Sequence, residues 1–323
     1  MTAFLMPAEW EPHARTWMCW PARAGVWDDM DAAKRAFARV ARAIAAFEPV
    51  VMAANPGDAA EAAAMTSVDI FPVALDDSWA RDIAPTFVKT PVSGRAAIAW
   101  RFNAWGGKYA PFDRDAGFAA LAAAHAGVPC HRASIICEGG ALHSDGQGTL
   151  LTTEQCVLNP NRNPGLTRTV AGEIFHHALG ARAVVWLGDG FSDDETDGHV
   201  DNIACFAAPG RVILGMPGGD HPDHGPVRVA RARLKAAGLE VIELPQPRIL
   251  RRDRRGRLLP ASYVNFYLCN GGLIMPSFDD PHDGVARDLL AQIFPGREIV
   301  QLPALDIVAG GGGIHCITAQ EPA

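Results

Sequence analysis

The sequence predicts an α/β fold, a single domain over residues 1–323 arranged as a ring of five helix–strand–hairpin units, and three observations carry that expectation. Helix patterns recur at 31–47, 115–126, 167–180, 225–238 and 283–295, each followed by a short apolar run with strand composition. The last three runs, Val184-Val185-Trp186-Leu187, Val241-Ile242-Glu243-Leu244 and Ile299-Val300-Gln301-Leu302, fall at nearly constant spacing. Finally, Ile314–Thr318 near the C-terminus and Thr16–Trp20 near the N-terminus each lack a partner, and pairing them would close the ring and remove a sheet edge. The competing reading is an ordinary α/β sheet with coincidental spacing.

In chain order, Thr16–Trp20 reads as a buried strand stopped by Pro21. The helix at 31–47 places Phe37, Val40, Ile44 and Phe47 on one face, and Pro49 follows it. Val50–Ala53 and Val68–Phe71 have strand composition around an alanine-rich segment. Ile83–Lys89 and Ala96–Phe102 flank a Ser93-Gly94 turn. Three further hairpin signals pair Ala141–His143 with Thr149–Leu158, His199–Ala207 with Arg211–Met216, and Tyr263–Cys269 with Leu273–Phe278.

With 49% hydrophobic and 20% charged residues the chain reads as globular, and a net charge of −7 disfavours a general nucleic-acid binder while suiting a small cationic substrate. No basic leader with an apolar core is evident, nor any apolar run near the length of a membrane span, so a cytoplasmic protein with no membrane partner is expected. The seven cysteines are scattered and never spaced C-x-x-C. Reduced thiols are expected, without a disulfide framework or a structural zinc site.

The densest chemical signal is Gly310-Gly311-Gly312-Gly313 leading to Cys316. Glycines let backbone approach a ligand closely, and a thiol at the mouth of a strand after such a loop suits a nucleophile, although a buried cysteine is also a small apolar residue. Equivalent stretches between strand and hairpin in the other units hold Trp79 and Asp82, then Glu138, then Asp193, Asp194, Glu195, His199 and Asp201. If the units face a common centre, one thiol, one imidazole and several carboxylates meet there. Carboxylates oppose thiol ionisation unless the substrate brings positive charge, which a guanidinium does while donating two-pronged hydrogen bonds to carboxylates. His199 and Asp201, two apart on an expected strand, would share a face. Trp79 offers a ring to a cation, against a core reading. Asp193–Ala204 lacks the glutamate that ends a calcium loop, His221 and His224 sit in a proline- and glycine-rich turn, and the arginines of 247–257 read as a solvated loop or a rim. His176 and His177 receive no role.

The chain resembles the agmatine deiminase family, a branch of the guanidine-modifying enzymes that also holds bacterial peptidylarginine deiminase. The resemblance rests on ordered blocks: Met6–His13 with Thr16-Trp17-Met18, Asp76–Asp82, Phe102–Tyr109, Glu138-Gly139-Gly140, Asn159–Pro164, Thr196–Asn202 and Gly311–Cys316. It implies a five-bladed pseudosymmetric α/β propeller, a small guanidino substrate and no metal or organic cofactor. It implies Cys316 as nucleophile, His199 as general acid and base, Asp82 and Asp201 as the guanidinium clamp, and Glu138 as support beside them. Trp79, Glu195 and Gly313 fall on the substrate side, Glu195 being the residue read for a substrate amine. Gly313 departs from the family's usual asparagine. Free or peptidyl arginine stays open as a substrate if Arg162 or the arginine-rich stretch reaches its far end. A cysteine amidohydrolase and a non-catalytic cation-binding protein stay open as other classes, and a homo-oligomer is compatible with all of these.

Overall fold

A computed structural model describes residues 4–91 and 94–323; Ser93 of the expected turn and Met1–Ala3 of the N-terminal segment lie outside the described residues. The chain forms five small sheets. In the first, His13–Cys19, Val50–Ala54 and Asp69–Pro72 run parallel, and Thr318–Pro322 lies antiparallel on the free side of His13–Cys19. The other four sheets repeat one pattern, an antiparallel hairpin joined by a third strand parallel to its second. They are Thr86–Thr90 and Gly94–Arg101 with Cys130–Ile136, and His143–Ser144 and Thr149–Thr152 with Ala183–Trp186. Then come Ala204–Ala208 and Arg211–Met216 with Glu240–Pro245, and Tyr267–Cys269 and Gly272–Ser277 with Glu298–Pro303.

A parallel neighbour requires a crossover, and in each sheet one of the expected helices makes it: Met30–Ala45, Asp113–Ala126, Arg168–Leu179, His224–Ala236 and Asp283–Ile293, with the short helix Ala59–Thr66 making a second crossover in the first sheet. The first begins where the Asp29 side chain accepts the Ala32 N–H, and it buries Ala33, Phe37, Val40, Ala41 and Ile44 as its spacing predicts. Gly127 and Gly180 end the second and third in the left-handed conformation that a side chain disfavours. Each hairpin therefore belongs with the helix and strand that follow it. The sequence reading had grouped it with those that precede it.

Several expected strands are shorter because short turns of helix take their ends. Ala80–Ile83 and Glu154–Val157 are helical, and Gly139–Ala141 and Val200–Asn202 are 3-10 turns. His199 and Asp201 thus do not share a strand face. The two unpartnered terminal segments do pair, but through Met18 with Thr318 to His13 with Pro322, so Cys316 sits in the turn before the last strand instead of on it. The largest core cluster joins this seam, with Trp17, Met18, Phe37, Met52, Tyr267, Ile274, Ile314 and Ile317 all buried.

Glu321 fastens the seam. It is fully buried, accepts the Trp17 indole N–H at 3.0 Å, and pairs with Arg95 at 2.6 Å and Arg15 at 3.3 Å. Replacing Glu321 with alanine leaves a buried indole donor without its acceptor and removes one ion-pair partner from each of Arg15 and Arg95, and is expected to remove about 2 kcal/mol of stability in chemical denaturation. A loss within experimental error would show that backbone pairing alone holds the seam.

Candidate active site

Five connections run from the last strand of one sheet to the first strand of the next, and each supplies a polar side chain to one buried cluster. Asp82 comes from the first connection, Glu138 from the second, His199 and Asp201 from the third, Asn265 from the fourth and Cys316 from the fifth. All six are at most 6% exposed. Gly140 marks their meeting point. A side-chain carbon placed there would stand 2.5 Å from His199 Nδ1, 3.0 Å from Asp82 Oδ1 and 3.1 Å from Asp201 Oδ2.

Cys316 Sγ lies 3.3 Å from Asn265 Nδ2 and 3.6 Å from Asp201 Oδ2. Burial pushes its thiol well above the ordinary range, and Asp201 and Asp82 push it further; the Gly313 backbone and the Asn265 amide pull the other way. His199 sits between two carboxylates, with Nδ1 3.7 Å from Asp82 Oδ1 and Nε2 3.6 Å from Glu138 Oε2. Burial alone favours its neutral ring, but the acidic neighbours, Asp82 first, outweigh it and raise its affinity for a proton. Asp82 accepts the Gly140 N–H at 3.0 Å and the Trp105 indole N–H at 2.9 Å. Trp105 reaches it from a backbone with φ of 54°, a conformation rare for a bulky residue and held here by the Asn103 side chain accepting the Gly106 N–H.

Asp201 is kept ionised by His315. Burial would raise its proton affinity, but His315 Nδ1 lies 2.8 Å from Asp201 Oδ2 and outweighs it. His315 Nε2 meets Glu9 Oε2 at 2.8 Å, and Arg81 approaches Glu9 at 3.5 Å. Glu138 is held by Arg162, whose Nε lies 2.9 Å from Oε1. Arg162 also binds Asp197 and the Thr196 carbonyl. These contacts leave it committed, so it is not a partner for a distant substrate carboxylate.

Trp79 is 6% exposed and stacks on Trp27 at 5.4 Å, with Gly312 against its edge. Its contacts are those of the core. Gly313 packs on Asn265, where a side-chain carbon would stand 2.2 Å from Oδ1. Glu195 lies further out, on a cavity of about 450 Å³ lined also by Tyr109, Arg252, Arg257, Gly310 and Gly311. Its carboxylate meets Tyr109 and Arg257 there, so the arginine-rich stretch is part of a rim. The sequence reading missed Asn265, His315, Glu9 and Trp105. Three of them lie in the blocks Met6–His13, Phe102–Tyr109 and Gly311–Cys316; Asn265 falls in Tyr263–Cys269, read from the sequence as a hairpin strand, which begins only at Tyr267.

Because His315 separates two buried carboxylates, His315→Gln is expected to cost about 3–5 kcal/mol in urea denaturation. A loss below roughly 1 kcal/mol would mean that no cation stands between Glu9 and Asp201.

The chain is similar to known proteins along nearly its whole length. Agmatine deiminases of Stutzerimonas stutzeri and Pseudomonas aeruginosa are each 40% identical over 99% of this chain and 96% of their own. The structure of the Enterococcus faecalis agmatine deiminase superposes with a TM-score of 0.93 at 34% identity, covering 99% of this chain and 96% of that one. Residues 5–322 match the Porphyromonas-type peptidyl-arginine deiminase family, and the chain belongs to it.

Proposed function

We propose that this chain is an agmatine deiminase, a hydrolase that converts the guanidinium of agmatine to the ureido group of N-carbamoylputrescine and releases ammonia. The observation that carries the reading is the convergence of a thiol, an imidazole and three carboxylates, from four separate connections, around a buried site suited to a flat cation. Relatives with that name at 40% identity over nearly the whole chain support the substrate. The proposal includes a single catalytic domain over residues 1–323 with its five sheets arranged as blades of a pseudosymmetric propeller, a reading supported by the repeated sheet pattern and by the pairing of the first and last strands.

In this mechanism Asp82 and Asp201 bind the guanidinium nitrogens and fix its plane. Asp201 Oδ1 accepts no hydrogen bond among the described residues and is free to do so. The incoming positive charge offsets the carboxylates that hold the Cys316 proton in place. As the cation binds, the thiol releases its proton to solvent; the thiolate attacks the guanidinium carbon, and His199 donates a proton to the departing nitrogen so that ammonia leaves and a covalent thiouronium remains. His199 next takes a proton from water, which adds to the same carbon. Collapse expels the Cys316 sulfur and gives the ureido product. Glu138 and Asp82 stabilise the imidazolium in both steps.

Glu195 is the proposed contact for the far amine of agmatine. A second reading, an arginine substrate, is favoured by Arg252 on the same cavity, which pairs with no carboxylate among the described residues, so a substrate carboxylate would find a partner there. Ammonia release across agmatine, free arginine and a peptidyl arginine separates the two. The expected result is turnover of agmatine to carbamoylputrescine, abolished by Cys316→Ser; citrulline from arginine at a higher kcat/KM would overturn the assignment.

The raised proton affinity of Cys316 has its own consequence. At neutral pH, below the thiol's titration, a cationic amidine alkylator is expected to label Cys316 faster than a neutral amide alkylator with the same leaving group. The difference is expected to shrink in Asp201→Asn. Equal rates in the wild-type enzyme would show a thiolate already formed without a cation.

A further inference from the structure

One buried thiol beside the site has no part in that chemistry. Cys156 lies in the short helix Glu154–Val157, is fully buried, and places Sγ 3.7 Å from Glu138 Oε2. The Glu138 oxygen nearest Cys156 is also the one nearest His199, with Nε2 at 3.6 Å. The three ligand atoms lie within 4.8 Å of one another. His199 is 1% exposed, yet neither of its ring nitrogens makes a hydrogen bond among the described residues.

We propose that Glu138, Cys156 and His199 form a zinc-binding site, and that its occupation blocks the deiminase. Metal bonds of about 2.0 Å to nitrogen or oxygen and 2.3 Å to sulfur give tetrahedral edges of roughly 3.3–3.5 Å. The two approaches at 3.6 and 3.7 Å need only a small contraction to meet that geometry. One sulfur, one imidazole nitrogen and one carboxylate oxygen form a donor set suited to zinc, and not to magnesium or calcium, which take oxygen.

The ligands are also held in place. Arg162 fixes the other Glu138 oxygen at 2.9 Å. Thr153 accepts the Cys156 N–H and donates to the Gly198 carbonyl at 2.7 Å, which ties the cysteine-bearing turn to the segment that carries His199. Zinc displaces the thiol proton of Cys156 and any proton on His199 Nε2, both released to solvent, and forms Zn–S and Zn–N bonds with a Glu138 oxygen as third ligand. The surrounding charge favours this exchange, because Asp82 and Asp201 lie against the same imidazole and Gly140. Inhibition follows from the proposed role of His199, whose nitrogen cannot move a proton while it holds a metal. Metal binding itself does not depend on that role.

The test uses the metal-free full chain as wild type, Cys156→Ser and Cys316→Ser, with cobalt(II) as a spectroscopic probe and zinc as competitor. A thiolate-to-cobalt charge-transfer band, displaced by zinc, is expected in the wild type and in Cys316→Ser and absent in Cys156→Ser. Zinc affinity of Cys156→Ser is expected to fall by more than roughly 100-fold, beyond what loss of a mere hydrogen-bonded neighbour of a ligand causes. Half-inhibition of ammonia release from agmatine is expected to need correspondingly more zinc. An unchanged band or unchanged inhibition in Cys156→Ser overturns the proposal, as does loss of the band in Cys316→Ser, which would place the metal on the nucleophile. Should Cys156→Ser fail to fold, anomalous diffraction from wild-type crystals grown with zinc decides: a peak bonded to the three named atoms supports the site, and a peak at Cys316 or none at either place overturns it. A cobalt band without agmatine turnover would leave the metal site standing and remove the deiminase assignment.

Discussion

Negative charge buried in one place is the constraint on which this architecture depends. Glu9, Asp82, Glu138 and Asp201 are each at most 6% exposed. Unpaired carboxylates at that depth would cost several kcal/mol apiece. Their countercharges come from other parts of the chain: His315 between Glu9 and Asp201, Arg81 beside Glu9, Arg162 on Glu138, and His199 between Asp82 and Glu138. The result is a buried cluster in which every carboxylate has a basic partner, with the Cys316 thiol, raised well above its ordinary range by burial and by Asp201 and Asp82, at its centre.

The five-fold recurrence was legible because helix periodicity and short apolar strands are local signals, and the helices stand within a few residues of where the pattern places them. Sheet membership was less legible. Whether a hairpin joins the strand before it or after it is decided by long-range pairing, and neither composition nor spacing encodes that choice. The ends of strands failed for a related reason: Ala80–Ile83, Gly139–Ala141 and Val200–Asn202 have strand-compatible or neutral composition, yet they turn tightly to bring Asp82, Gly140 and Asp201 inward.

The site was legible where one residue type announces chemistry. Cys316 after a glycine run, His199, Asp82, Glu138 and Asp201 come together, whereas Glu195 of the same stretches lies further out. Asn265 and Trp105 were not, since asparagine and tryptophan carry many structural roles and only contact identifies theirs. The glycine run itself has a different reason from the expected one. Among its four residues Gly311 alone has a positive φ, at 106°. Gly310, Gly312 and Gly313 are small because the rings of Trp27 and Trp79 and the amide of Asn265 occupy the space a side chain would need. At Gly313 an asparagine has no room, and the Asn265 amide there approaches the Cys316 sulfur and accepts the His315 N–H.

The seam between His13–Cys19 and Thr318–Pro322 joins segments about as far apart in the chain as this polypeptide allows, and Cys316 lies two residues from it. Contacts of such high sequence separation form slowly, because a long loop must close before any of its interactions contribute. Emergence of a competent sulfur is consequently deferred to a late stage of folding. With that seam open Cys316 stands on an unanchored tail, away from His199 and Asp201, so the cluster of thiol, imidazole and carboxylates is assembled only in polypeptides that have already been sewn shut.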